Sequence, residues 1–427
     1  MIEVTGTYFN LLDEEKQQEL YEQYHRLFLT LDFPLQFLAR VTPLDIEDYL
    51  RFVQPSGPER SSWQSLASHH AQFLRALVKQ RGLLGRRFYV VVPAEEVTHG
   101  KALWGKGEQE AMSYAEAAAT LRLRCETMIY HLKGLGLGCQ LVTDKKLAQF
   151  YTGFAAGTAM RPERLGVERD HLCILDQSGA SCYVRVQQIA RLPRTVSFGW
   201  LKSLIETDEI FDLIHHLVPR PEEQTLVYLR RQQTHATADI RQASVSGRNA
   251  GAASTLARSD LTPLIEDVTA GEQTMLDSSL HLLIRAASKE ELDQKTRRIG
   301  QRVSLTFTRR PKTQFFEQAS SFCGCLPGSL TCRDPLLLPS SAVTTMIPFF
   351  DHFVFKPSET AILEGMTPHN EPIIMDWWAD LPNANRLILG PSGWGKSYKA
   401  KLDILRLYYL YKNLAARERR EDGFQIL

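Results

Sequence analysis

The apolar positions of residues 13–28 recur at helical spacing, with Leu20, Tyr24, Leu27 and Phe28 on one face. An amphipathic helix is predicted there, followed by a strand over 33–41 (FPLQFLARV). Residues 62–81 repeat the helical period at Leu66, His70, Phe73, Leu74 and Leu77, and Gly82 and Gly85 then break it. The run RFYVVV at 87–92 is rich in strand formers. Ser113 with Glu116 three positions on reads as a capping box for a helix reaching about Leu132. Gly134, Gly136 and Gly138 end that helix, and 139–143 supplies another strand.

In the middle of the chain, 171–175 and 181–186 read as paired strands around the turn Gln177-Ser178-Gly179. Residues 225–231 look strand-like, whereas 236–264, rich in Ala, Ser and Arg, read as a long exposed helix or a linker. A strand at 279–286, a helix at 289–302 and a strand at 303–308 make a further β-α-β unit. FLARVTPLDIEDYL (37–50) echoes LLIRAASKEELDQK (282–295): each is a strand ending near an Arg, then a turn, then an acidic helix start. A duplicated unit and chance are both open readings of that echo. Pro327, Gly328, Pro335 and Pro339 make 323–339 the clearest expected boundary. Beyond it, 373–377 reads as a strand, 381–385 as a turn and 386–389 as an apolar strand entering a glycine loop.

The fold expected from this pattern is an α+β amino-terminal region with repeated strand-helix-strand units. It would comprise a first half at 1–195 and a second half, with a helical segment, at 196–340. Residues 341–427 would be the incomplete start of an α/β RecA-like P-loop domain.

The loop is the sharpest motif. Residues 390–397 (GPSGWGKS) meet the pattern G-x-x-x-x-G-K-[ST] with Gly390, Gly395, Lys396 and Ser397. Glycines let such a loop close around a phosphate with its backbone N–H groups turned inward, and the following helix presents its positive end to the same phosphates. ATP with Mg²⁺ is the expected ligand pair: Gly390, Ser392, Gly393 and Gly395 would form the cradle, Lys396 would meet the β- and γ-phosphates, and the Ser397 hydroxyl would ligate Mg²⁺. Trp394 satisfies no requirement of the motif; stacking on the nucleotide or a partner and simple surface packing are both open. Hydrolysis also needs an acidic residue at the end of a later strand and a group to aim water. Neither is legible, and GFQIL at 423–427 looks like the opening of a further strand. Catalytic residues are therefore unassigned, and the chain is expected to be a truncated ATPase without hydrolysis of its own.

Composition alters this picture little. Fifty basic and 49 acidic side chains give a net charge of +1, which disfavours a protein that coats nucleic acid in bulk. Seven scattered cysteines do not suggest a disulfide framework, and no apolar run approaches membrane-spanning length. Cys323, Cys325, Cys332 and His352 fit no common zinc spacing. His215-His216 reads as an ordinary helix end. Gly134-x-Gly136-x-Gly138 is no dinucleotide fingerprint, since a helix precedes it and a strand follows. Arg230, Arg231, Arg241, Arg248 and Arg258, and Arg406, Lys412, Arg417, Arg419 and Arg420, could meet DNA or lipid headgroups, but solvated helix faces explain them better.

The segment LPNANRLILGPSGWGKSYKAKLDILRLYYL (381–410) resembles the opening of the motor domain in the type IV secretion ATPases of bacterial conjugation, the VirB-four and TraC/TrbE class. Residues 346–376 resemble the approach to it, and 2–17, 31–50, 82–93 and 304–310 are similar in phrasing and order to that family's amino-terminal domain. The resemblance implies a hexameric motor peripheral to the cytoplasmic face of the bacterial membrane. Its partners would be inner-membrane components of a secretion channel, and it would drive DNA or protein transfer or pilus assembly. A non-catalytic scaffold docked on such a channel is the alternative. The resemblance carries the nucleotide roles onto Gly390, Gly393, Gly395, Lys396 and Ser397 and supplies no acidic catalytic residue.

Overall fold

The computed structural model describes the chain outside residues 7–11, 45, 48–49, 51–60, 82–83, 94–113, 157–161, 178, 194, 206, 208, 246–251, 308–309, 330–333, 351–359, 367–371, 380–384 and 422–427. The chain forms two compact units, Met1–Val41 with Arg87–Phe350, and Thr42–Arg86 with Asp351–Leu427. The expected turn at 381–385, the Ser113 cap, Cys332, His352 and the strand at 423–427 fall wholly or largely outside the described residues.

Strand β1 (Ile2–Val4) precedes helix α1 (Glu14–Leu29), which buries Leu20, Tyr24, Leu27 and Phe28 as its periodicity predicts. Asp13 caps it, accepting from the Lys16 N–H at 2.9 Å, and Glu14 and Glu15 suit the positive end of the helix. Next come β2 (Leu35–Pro43), α2 (Ser61–Arg81), β3 (Leu84–Val91), α3 (Tyr114–Gly134), β4 (Cys139–Leu141) and α4 (Asp144–Ala156). Gly136, with φ 76°, closes α3 in the left-handed conformation that glycine adopts without strain. The strands β5 (Pro162–Val167), β6 (Leu172–Asp176) and β7 (Ser181–Gln188) form a meander before α5 (Lys202–Ile205) and β8 (Phe211–Pro219).

Helix α6 (Glu222–Val245) follows, and it corrects the strand expected at 225–231. Those residues have strand-forming side chains, but Pro221, Glu222 and Glu223 start a helix. Leu226 and Leu229 then pack at helical spacing against Leu261, Leu264 and Ile265 of α7 (Ala252–Thr269). The polar stretch 236–264 is thus largely the helical hairpin of α6 and α7.

β9 (Met275–Ala286) leads into α8 (Lys289–Phe307), then β10 (Lys312–Thr313), α9 (Gln318–Cys325), β11 (Leu336–Pro339) and α10 (Ser340–Thr345). Of the strand expected at 303–308, residues 303–307 are instead the end of α8, and 308 lies outside the described residues. Leu292, Ile299 and Val303 are buried at spacings of one and two helical turns, so the helix period prevails over the β-branched composition. Residues 323–339 lie within the first unit, where β11 pairs with β9.

The first unit is built on an eleven-stranded sheet in the order β4-β1-β3-β2-β8-β9-β7-β6-β5, with β10 beside β7 and β11 beside β9. Its described ladders are antiparallel, so the architecture is mixed α and β around an antiparallel sheet. His215 and His216 lie in its central strand β8, buried, rather than at a helix end. The second unit contains β12 (Ile362–Met366) paired with β13 (Pro372–Met375), and α11 (Lys396–Glu421). Its core joins Leu44, Ile46, Leu50, Ala71 and Leu74 to Ala361, Leu363 and Ile374. Among the described residues no helix is long and apolar enough to cross a membrane.

Candidate nucleotide-binding site

The glycine loop runs directly into α11. Gly393 and Gly395 adopt φ values of 84° and 79°, a region where a side chain would be strained. A Cβ built on either would meet no atom within 4 Å, so the constraint on these positions is backbone conformation rather than space. The first helical hydrogen bond runs from the Lys399 N–H to the Gly395 carbonyl at 2.9 Å. The N–H groups of the first turn have no earlier helical carbonyl to meet, which makes this end of α11 suited to an anion. Lys396 Nζ donates to the carbonyls of Gly390 and Pro391, each at 2.7 Å. Its ammonium is thereby held back across the loop, where it can exchange these carbonyls for phosphate oxygens. Ser392, Ser397, Trp394 and Tyr398 are exposed around the loop.

The strand expected at 386–389 has no ladder partner among the described residues, and Leu387 and Leu389 are each 80% exposed. Apolar composition favours a strand, but the strand state exists only where a neighbour takes its N–H and C=O groups. The segment enters the loop without regular secondary structure and without pairing to a described strand.

Sequence reasoning missed the polar cluster that fixes α11 to its hairpin. Glu364 on β12 accepts from Lys399 at 2.9 Å and from Arg386 at 2.8 Å, and also from Trp377 Nε1. Asp403 accepts from Lys399 at 2.8 Å and is paired with Arg386. The Arg386 guanidinium lies 4.3 Å from the centre of the Trp377 ring. Only Lys399 and Asp403, four apart on one helix, left a local signal. A cavity of about 250 Å³ adjoins this cluster, lined by apolar groups that include Trp378, Ile388, Ile404 and Leu407.

The other candidate positions are not gathered into a site. Cys323 is exposed and Cys325 buried. Among the described residues no group of three His, Cys, Asp or Glu side chains could hold a metal ion. Arg230, Arg231, Arg241 and Arg258 are exposed on the α6–α7 hairpin, while Arg406 donates to the Leu363 carbonyl. No family model and no curated protein matches the chain.

Proposed function

We propose that the loop at 390–397 binds the phosphates of ATP, and that the chain is a nucleotide-binding subunit of a conjugation-type secretion motor. The observation that supports the first statement most directly is the backbone of Gly393 and Gly395. Their positive φ values turn the loop into the first turn of a long helix with Lys396 at its start. That arrangement suits a polyphosphate: Gly390, Ser392, Gly393 and Gly395 would form the cradle, Lys396 would supply the charge, and the Ser397 hydroxyl would ligate a phosphate-bound Mg²⁺. A RecA-like fold is part of this proposal; it rests on the loop-to-helix order, since 386–389 forms no ladder with a described strand. The secretion reading rests on the sequence resemblance, and with it go a hexamer, inner-membrane channel partners and a cytoplasmic position peripheral to the membrane.

Hydrolysis is not assigned to this chain. The carboxylates near α11, Glu364 and Asp403, are engaged by Lys399 and Arg386 and hold the helix in place. A docking scaffold is the second reading, favoured by a first unit with an eleven-stranded sheet of its own, to which the loop residues do not belong.

Titration with a fluorescent ATP analogue tests the proposal. Wild type is expected to bind, Lys396→Ala to bind at least about tenfold more weakly through loss of a charge-assisted contact, and Ser397→Ala to lose chiefly the Mg²⁺-dependent part. Equal, negligible binding by wild type and Lys396→Ala would leave the scaffold reading.

A further inference from the structure

Strand β5 is the outer strand of the large sheet, and residues 163–168 are exposed along it. Its inner edge pairs with β6, with a register shift at Glu163, and the register beyond it sets Leu165 against Ile174, Gly166 against Cys173 and Val167 against Leu172. The Glu168 N–H donates to the His171 carbonyl at 2.9 Å. In an antiparallel ladder hydrogen-bonded residues alternate, so Glu168, Gly166 and Arg164 turn their backbone groups toward β6. Leu165 and Val167 therefore turn theirs to the opposite edge, where no described strand pairs with β5. Their side chains are 54% and 56% exposed.

The order of residues along that edge is self-complementary. In Arg164-Leu165-Gly166-Val167-Glu168, a two-fold axis through Gly166 sets Arg164 opposite Glu168 and Leu165 opposite Val167 of a second copy. The parity is right as well. Leu165 and Val167 both offer outward backbone groups and would exchange hydrogen bonds, while the two Gly166 residues would meet as a closely spaced pair without them. A slip by one residue would set inward-facing groups against outward-facing ones, and a slip by two would break both charge pairs. Parallel pairing in register would place Arg164 on Arg164. Past Glu168, Arg169 lies against Phe315 and Phe316, at 5.3 and 5.2 Å from their ring centres.

We propose that β5 is a homotypic docking edge, at which two copies of this chain pair antiparallel about Gly166 and join their sheets. Charges on an edge strand ordinarily keep other strands away. Here their sign order admits one partner in one register. The contact is a single short strand, so the dimer is weak and reversible and depends on protein concentration.

Sedimentation velocity of the full chain, without nucleotide, over micromolar to sub-millimolar concentrations tests this. Wild type is expected to show a monomer–dimer equilibrium. Arg164→Glu and Glu168→Arg are each expected to weaken it roughly tenfold or more, because each puts two like-charge pairs into the symmetric ladder. The double exchange R164E/E168R is expected to restore it. Leu165→Pro, which removes an N–H that faces no described strand, is expected to weaken dimerisation while leaving the far-UV spectrum unchanged. A wild type that stays monomeric throughout, single exchanges that associate like wild type, or a double exchange that fails to restore association would each overturn the proposal.

Discussion

Asp212→Ala is expected to destabilise the first unit by about 3–5 kcal/mol, the cost of leaving buried cations unpaired. Asp212 is fully buried on β8 and stands between two arginines that are nearly so. Arg40, directly opposite it on β2, donates from Nε at 3.2 Å, and Arg285 on β9 donates from Nη2 at 2.7 Å. The guanidinium groups also lie over the Phe154 ring, at 5.2 and 5.1 Å, and Arg285 reaches the Phe154 carbonyl at 2.5 Å. Those contacts orient the cations without neutralising them. Removing the one carboxylate leaves two charges in a low-dielectric layer, a far larger penalty than the cavity left by a small side chain. Denaturant unfolding followed by far-UV circular dichroism measures the loss. The cause can be separated from simple loss of packing. Replacing all three residues with apolar ones (R40M/D212L/R285M) should recover most of the stability, as burying no charge is often no worse than burying a balanced set. A triple variant no more stable than Asp212→Ala would count against the charge argument.

The same cluster shows which parts of the fold the sequence could disclose. Elements whose evidence is periodic and local were readable: the buried face of α1, the β6–β7 hairpin about Gly179, and the glycine loop with its helix. Where composition and period disagreed, period decided, so Leu229 and Val303 belong to helices despite neighbours that favour strands. Arg40 and Arg285 were visible only as the matching arginines of a faint internal echo. Nothing local signalled that β2 and β9 flank β8 and aim both at Asp212. The echo has a spatial counterpart in that pair, though Lys289–Phe307 continues β9 as a helix in the same unit whereas Thr42–Arg86 belongs to the other. In the candidate site the loop residues were legible because spacing alone defines them. Glu364, Arg386 and Trp377 were not, because their meeting depends on how the β12–β13 hairpin and the α11 helix pack.

The core of the sheet should also make the protein acid-labile well above the range where carboxylates titrate. His215, His216 and His281 lie buried on β8 and β9. Burial pushes their pKa values from the ordinary 6.5 down to about 3, about 3 and about 4, with neighbouring imidazoles lowering His215 and His216 further. His215 Nε2 pairs with Ser278 Oγ at 2.9 Å, while one ring nitrogen of each histidine has no partner among the described residues. The folded state therefore keeps all three neutral where the unfolded chain would protonate them. Stability from this source is intact above pH 6.5 and is lost progressively as pH falls toward the folded-state values. Each group contributes a slope of up to about 1.4 kcal/mol per pH unit once the unfolded chain is protonated, so the three together reach about 4. The Asp170 carboxyl, held below its usual range by Lys289, His171 and Arg185, adds to the loss only near and below its unfolded pKa of 3.8. Denaturant-unfolding free energies measured from pH 7.5 down to about 4.5 should thus fall steeply below 6.5, with about three protons taken up on unfolding near the lower limit. His215→Gln combined with His281→Gln should flatten that slope by about two protons even if both substitutions lower stability at neutral pH. A wild-type stability that stays level across the interval would mean that these imidazoles are solvated or already charged in the fold.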